Sequence, residues 1–381
     1  MLTKIKYLNK KDLIKRIMKR LILCIFFVLS CIFLFFKIKN SNEFNKFLNT
    51  NIYPNSVVIF EYNNYHYECL PGYTKYFTDL GFNVDVIIQE DGYESFEYYE
   101  PLNKIRIFTY KPKEIKKYKI LLKKRLNMYN YSLLHFTDIQ KDKLKLFKKL
   151  GYYDNPNSLF IVQAVDQLEK LGLEKFIQKN HVFSLADYGL VNYINPNYFG
   201  NMNIIHKKNK KIIFYITSSI NKYYSYLIIA VRHLKNKSID FEIDITGWND
   251  NLSEDIIPND IRKYFIFHGL VSYNKLYSII KKSDFIILNL FPDNEIDILF
   301  KSFRATGNAQ LAYGFNKPVA KVYKFSNQNA IIFKKHNLSD AIEKAVQISE
   351  KEYDDMTYNM EILRKSIYNT SLNNLKNSLQ I

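Results

Sequence analysis

The sequence predicts two doubly wound α/β domains that face a cleft, preceded by one transmembrane helix. Three observations carry this reading. From residue 56 onward, short apolar β-branched runs alternate with helical stretches, the rhythm of a parallel sheet covered by helices on both faces. The rhythm restarts near Lys210. Ahead of both lies Leu21–Phe36 (LILCIFFVLSCIFLFF), which carries no charge.

The apolar segment comes first in the chain. Its sixteen residues span roughly 24 Å as a helix, a little short of a ~30 Å hydrocarbon core. Arg20 and Lys37 flank it and can snorkel to lengthen the span. A cleaved signal peptide would need small residues after the apolar run, whereas Phe35, Phe36, Lys37 and Ile38 follow. An uncleaved signal-anchor is therefore expected, in preference to a cleaved leader or a buried core helix.

Net charge is +18 over 381 residues. Residues 1–39 hold ten Lys/Arg against one acid, Asp12, and so carry +9, half of the excess. Charge concentrated beside an apolar run suits a membrane surface better than nucleic acid, which is not expected as a partner. Cys24 and Cys31 lie in the apolar run and Cys69 stands alone in the remainder, so the globular part has no disulfide framework. No Cys/His grouping has the close spacing of a structural zinc motif, and no metal site is expected. At 47% hydrophobic and 24% charged the chain is globular in composition.

Residues 1–20 read as a basic tail, 21–36 as the anchor and 37–54 as a polar stalk. The first domain then covers 55–206. Its strands are Ser56–Phe60 (SVVIF), Val84–Ile88, Ile105–Tyr110, Ser132–Phe136, Leu159–Ala164 and Val182–Leu185. Helices fall at Tyr73–Leu80, closed by Gly81, at Pro112–Leu126, and at Lys141–Leu150, stopped by Gly151. A basic stretch, Lys207–Lys211, marks the boundary. The second domain covers 207–350, with strands Ile212–Ile216, Phe241–Thr246, Tyr264–Phe267, Asp284–Leu290 and Pro318–Val322. Its helices run to Leu234, over Tyr273–Lys282, Thr306–Tyr313 and Leu338–Gln347, and a helical tail occupies 351–381. Ligands of such sheets bind beyond the carboxyl ends of the strands, and two sheets face to face make a cleft.

Three stretches of the second half resemble a known family. Phe267-His268-Gly269-Leu270-Val271-Ser272, with Leu276-Tyr277-Ser278 and Lys282-Ser283-Asp284-Phe285, is similar to its strand, G-x-V, helix and S/A-D passage. Thr306-Gly307-Asn308 through Gly314-Phe315-Asn316-Lys317-Pro318-Val319 resembles its small residue, helix and G-x-P-V passage. Asn329–Ile332 followed by Leu338–Ile342 resembles the loop and helix that come next. These are passages of the GT-B glycosyltransferases of the family 4, or group 1, type. The likeness covers residues 210–350 well and 55–200 weakly. It implies two Rossmann-like domains, a nucleotide-sugar donor in the second and an acceptor in the first. It implies a glycan or lipid-linked acceptor, in the manner of polysaccharide biosynthesis. It implies a hexosyltransferase-type enzyme that needs no metal and no cofactor beyond the donor. A transferase of polyol phosphates and a non-catalytic membrane-anchored binding protein stand as alternatives on the same fold.

The resemblance assigns donor residues, and physical chemistry supports them. A diphosphate suits the N-terminus of a helix, where backbone N–H groups and the helix dipole favour negative charge. Thr306, Gly307 and Asn308 fall at such a start; Gly307 permits close approach, and Thr306 or Asn308 could cap or donate. Arg304 could hold a phosphate oxygen in a fork. Thr217, Ser218 and Lys222 follow the first strand of this domain, where the family brings a basic residue to the phosphates. Gly247 and Gly269 end strands, and Gly269-Leu270-Val271 would run along the nucleobase. The sequence departs from the family at one point. A pair of glutamates eight positions apart is usual there, but Glu295 is followed eight positions later by Phe303. In the first domain, His66 follows the first strand, His135 ends the strand Leu133-Leu134-His135, and Asp138 and Asp166 follow later strands; all are candidates to orient or deprotonate an acceptor hydroxyl.

Positive charge is heavier before the anchor than after it, which places the N-terminus in the cytoplasm and the globular part across the membrane. A single-pass protein of a bacterial inner membrane or of a Golgi-type membrane is expected.

Overall fold

A computed structural model describes residues 43–64, 66–96, 104–136, 140–196, 211–217, 224–247, 257–288, 306–321, 330–332 and 337–381. The expected anchor, 21–36, lies outside these residues. Among the described residues, no helix is long and apolar enough to cross a membrane.

The first described element corrects the stalk. Residues 43–49 form a helix, α1, whose Phe44 and Phe47 are fully buried. Phe47 meets Phe108 edge-on at 5.3 Å, and Phe44 meets Tyr110 at 6.2 Å. Two aromatics three residues apart lie on one helical face. Burying each is worth about 1.5–3 kcal/mol, and Leu48 packs partly buried beside them, enough to dock a short segment that is otherwise polar.

The first sheet follows. Its elements are β1 (Ser56–Phe60), α2 (Leu70–Asp79), β2 (Asn83–Gln89), β3 (Ile105–Tyr110), α3 (Pro112–Lys117), α4 (Lys119–Leu126), β4 (Tyr131–Phe136), α5 (Lys141–Lys149), β5 (Ser158–Val162), the short α6 (Leu168–Leu171) and α7 (Glu174–Ile177), and β6 (Val182–Ser184). The single helix expected over 112–126 is divided at Tyr118 (φ −104°, ψ 20°), whose ring packs against Phe44. All strand pairs are parallel, in the order β3-β2-β1-β4-β5-β6. Alternation sends Val58 and Phe60 to one face, against α1, α4 and α5, and Val57 and Ile59 to the other, against α2. A strand buried on both faces must be apolar throughout, which is why SVVIF was legible as a strand.

The second sheet comprises β7 (Ile212–Thr217), α8 (Tyr224–Asn236), β8 (Phe241–Thr246), β9 (Phe265–Gly269), α9 (Tyr273–Lys282), β10 (Phe285–Leu288), α10 (Gly307–Gly314), β11 (Val319–Lys321), β12 (Ala330–Ile332) and α11 (Leu338–Gln347). It is again parallel, in the order β12-β11-β10-β7-β8-β9. Counted from the first strand of each sheet, the two orders are the same. Each reverses direction between its first and fourth strands: β1 beside β4, and β7 beside β10.

The final helix, α12 (Glu350–Leu379), starts in a capping box formed by Ser349 and Glu352. It is a strap between the domains, where a terminal tail was expected. Tyr353 and Met360 pack into the second domain, and the Tyr353 hydroxyl donates to the Asp284 carbonyl. Leu375 and Leu379 pack into the first. There Tyr368 stacks on Tyr76 at 5.0 Å, and the Asn195 N–H donates to Ser371 Oγ. Thirty residues reach about 45 Å as a helix, enough to bridge two domains.

Candidate functional site

Parallel sheets gather their loops at the carboxyl ends of the strands, and the two domains turn these ends toward one shared cavity of about 660 Å³. From the first domain it is lined by Asn64, His66, Glu68, Asp91, Glu94 and Gln163; from the second by Thr217, Gly247, Val271, Tyr273, Thr306 and Gly307, among others.

The second domain's side is built around the start of α10. Thr306 is extended (φ −102°) and caps the helix: Ala309 N–H donates to its Oγ1 at 3.2 Å. The first N–H groups of a helix have no partner within it. With that of Ala309 taken, those of Gly307 and Asn308 head the helix beside the cavity. A Cβ built on Gly307 meets nothing within 4 Å, so its α-carbon borders open space. Asn308 sits differently from its expected role. Its side chain is buried and does not line the cavity. Oδ1 accepts from Thr217 Oγ1 at 2.8 Å and from Thr217 N–H at 3.3 Å, while Nδ2 donates to the Ile287 carbonyl at 3.1 Å. Its hydrogen-bonding groups are spent tying the ends of β7 and β10 to α10, which leaves it a positioning residue.

Gly247 (φ +117°) and Gly269 (φ +65°) both adopt backbone conformations that favour glycine, and the Gly247 N–H donates to the Gly269 carbonyl at 2.9 Å. Gly247 lines the cavity. Gly269 does not, but it turns the chain so that Leu270, Val271 and Ser272 do. Ser218, Lys222, Glu295, Arg304 and Asp138 lie outside the described residues.

On the first domain's side, His66 holds a left-handed backbone (φ 64°, ψ 26°), and its Nδ1 lies 3.0 Å from Glu68 Oε1. Burial works to lower the His66 pKa, but the Glu68 charge and hydrogen bond, with a smaller pull from Glu61, raise it overall. Burial likewise works to raise the Glu68 pKa, and His66 reverses it, helped by hydrogen bonds including that from Tyr273. The two are hydrogen-bonded at the cavity wall and pair as ions when His66 is protonated. Glu68 also reaches across the cleft, since its Oε2 accepts from the Tyr273 hydroxyl at 3.1 Å. Glu94 crosses as well: its carboxylate accepts from the N–H groups of Tyr273 and Asn274 at 3.3 and 3.4 Å, at the head of α9, where negative charge is favoured.

His135 corrects another expectation. It is 1% exposed and does not reach the cavity. Nδ1 lies 2.8 Å from Glu61 Oε2 and Nε2 is 3.5 Å from the Tyr73 hydroxyl. Glu61, itself fully buried, takes two further bonds, from Asn63 N–H and Nδ2. The pair fills the β1/β4 reversal from within, because a strand-ending side chain at that point turns either outward to the cleft or back under α2. Asp166 does not line the cavity either.

Glu68, Asp91, Glu94, Gln163 and Tyr273 were not singled out from the sequence. The loop after each strand of a parallel sheet opens toward the ligand. That rule applied to β2 and β5 would have pointed to Asp91, Glu94 and Gln163.

No protein-family profile and no curated protein matches the chain. Solved structures do. HepE of Anabaena, in complex with UDP, superposes with a TM-score of 0.50 at 11% identity, over 85% of this chain and 99% of its own. A glycosyltransferase from Rickettsia africae gives 0.48 at 15% identity, over 86% and 97%. The lipopolysaccharide outer core galactosyltransferase WaaB in its apo form gives 0.46 at 10%, over 83% and 98%. The HepE superposition takes in most of this chain and nearly all of HepE, and this chain holds two parallel sheets of the same strand order with a cleft between them. The chain has the GT-B fold.

Proposed function

We propose that this protein is a glycosyltransferase that moves a sugar from a nucleotide-sugar donor to a glycan or lipid-linked acceptor in the cleft. The observation that carries the reading is the head of α10. It is capped by Thr306, pinned by Asn308 and open at Gly307, and it borders the shared cavity at the β7/β10 reversal. That is where an open α/β sheet places a phosphate-bearing ligand. The HepE structure, with the same fold, was solved with UDP, which supports a nucleoside diphosphate as the leaving group.

In this reading the N–H groups of Gly307 and Asn308 receive the diphosphate, and Lys222 and Arg304 add positive charge, so the leaving group is stabilised without a metal ion. His66 faces the acceptor side. Glu68 holds its Nδ1, an arrangement that lets an imidazole accept a hydroxyl proton while a carboxylate stabilises the resulting charge. The anchor at 21–36 places the enzyme on a membrane with its N-terminus in the cytoplasm, within reach of lipid-linked acceptors.

The test is thermal stabilisation of the detergent-solubilised chain by a panel of nucleoside diphosphates and nucleotide sugars. A ligand at 100 times its Kd adds about 2.7 kcal/mol. Gly307→Val, whose side chain projects into open space, should fold and lose that response. A folded protein that responds to no nucleotide would favour the non-catalytic binding protein, the reading that Phe303 in place of a second glutamate supports. Stabilisation by an activated polyol in place of a sugar nucleotide would favour the polyol phosphate transferase.

A further inference from the structure

The stretch from Pro112 to Met128 presents two unlike sides. Inward, Ile115, Leu122 and Leu126 are buried in the core of the first domain. Outward, Ile120 is 70%, Leu121 51% and Met128 66% exposed, and Lys113, Lys116, Lys117 and Lys124 are exposed beside them. On α4, Ile120 and Leu121 lie one turn from Lys124 and share a side with it, and Lys117 and Met128 are exposed just before and just after that helix. The apolar members have no part in the core, which is complete without them. The one acid of the stretch, Glu114, is buried and accepts from the Lys111 N–H, so it does not offset the lysines outside.

The position of this outward side says what it meets. Helix α1 is packed onto the same region: Phe44 touches Tyr118, Phe47 lies under the Arg125 guanidinium, and Arg125 donates to the Thr50 carbonyl. Only eight residue steps separate Phe44 from Phe36, the end of the uncharged run. Fully extended, they reach no more than about 28 Å. The chain that carries the apolar run therefore joins the domain on the side where lysines surround exposed Ile, Leu and Met. Lysines flanking projecting apolar side chains suit the headgroup region of an anionic bilayer, the first attracted by its surface charge and the second entering its acyl boundary.

We propose that the α3–α4 face is a second membrane-contact surface, which lays the first domain on an anionic bilayer and presents the cleft to acceptors held there. This rests on the anchored reading for the tether alone; it does not depend on which group the enzyme transfers.

The test uses the full chain with Cys24→Ser and Cys31→Ser, carrying an environment-sensitive fluorophore at Leu121→Cys or, as control, at Tyr358→Cys on the second domain's part of α12. Each protein is reconstituted into vesicles of phosphatidylcholine alone or of phosphatidylcholine with phosphatidylglycerol. Flotation reports the anchor and the fluorophore reports the face. The proposal expects blue-shifted emission, quenched by spin-labelled lipid, at position 121 in the anionic vesicles alone. The control should stay water-like in both. Lys117→Glu with Lys124→Glu should abolish the signal at 121 and leave flotation unchanged. A chain that floats with both vesicles while position 121 remains water-like keeps the anchor and overturns the surface. Burial of position 121 that is equal in both vesicles and indifferent to the charge reversals, or that requires an added protein, overturns it as well.

Discussion

The carboxyl ends of β1 and β4, and those of β7 and β10, hold equivalent places in two sheets of the same strand order. In the first sheet the reversal is plugged: Glu61 and His135 meet at 2.8 Å beneath α2, with both side chains removed from water. In the second it is left open, and a single amide, Asn308, pins the backbone so that the head of α10 borders the cavity. The topology supplies two candidate ligand crevices, and side-chain choice decides which is used. A hydrogen-bonded pair turned inward converts a crevice into a structural joint. A small residue at the start of a helix keeps the crevice available for an anion.

If that contrast is right, damage at the two points should read out differently. The largest expected effect is at the plugged one. His135→Ala leaves Glu61 buried with its Asn63 bonds alone, and removal of one member of a buried ionisable pair costs about 3–5 kcal/mol. Urea unfolding should show that loss, while the protein that remains folded keeps its nucleotide affinity. A loss of nucleotide response larger than the stability change accounts for would place His135 in the active machinery after all.

At the open reversal the order inverts. Asn308→Ala leaves the Ile287 carbonyl and the Thr217 hydroxyl without their partner, at a cost of about 1–3 kcal/mol. Nucleotide affinity should fall further than this destabilisation explains, because the head of α10 is no longer held. Asn308→Asp is the sharper probe. It keeps the acceptor for Thr217, loses the donor to Ile287, and sets a negative charge beside the proposed diphosphate. Its nucleotide response should be weaker than that of Asn308→Ala. Equal affinity in the wild type and both variants would remove the head of α10 from the site.

Much of this was legible in advance, and the boundary of legibility is physical. Strands such as Ser56–Phe60 and Phe241–Thr246 came out at their observed bounds, the first because burial on both faces makes it a nearly continuous apolar run, the second because Phe241, Ile243 and Ile245 alternate with polar residues. The helix start at Thr306 was legible because caps and glycines follow local rules. The docking of α1 was not: only the spacing of Phe44 and Phe47 distinguishes it from a polar linker. The roles of His135 and Asn308 were not legible either. Whether a polar side chain at the end of a strand or the start of a helix turns toward the cleft or into the fold depends on partners 74 and 91 residues away in the chain. Sequence spacing shows which loop a residue occupies and leaves its direction open.

The smallest effect concerns how the two halves are held together. Glu68 joins His66 on its own domain to Tyr273 on the other, and its hold depends on charge. The folded His66 pKa is raised above 6.5, so its contribution is fully present below that value and is lost as pH rises through the raised one. The folded Glu68 pKa is lowered below 4.5, so its contribution is present above that value and is lost as pH falls through the lowered one. The pair is therefore strongest between the two, and mild alkali should loosen it. The imidazole is about a third exposed, so the stability change is expected to be small. The comparison to make is the melting temperature of the wild type against Glu68→Gln from about pH 5 to 9. The gap should be widest on the acidic side and close as pH rises past the His66 value. A gap that stays constant across the range would show that Glu68 acts through its bond to Tyr273 alone. The charge on His66 would then have no part in bringing the domains together.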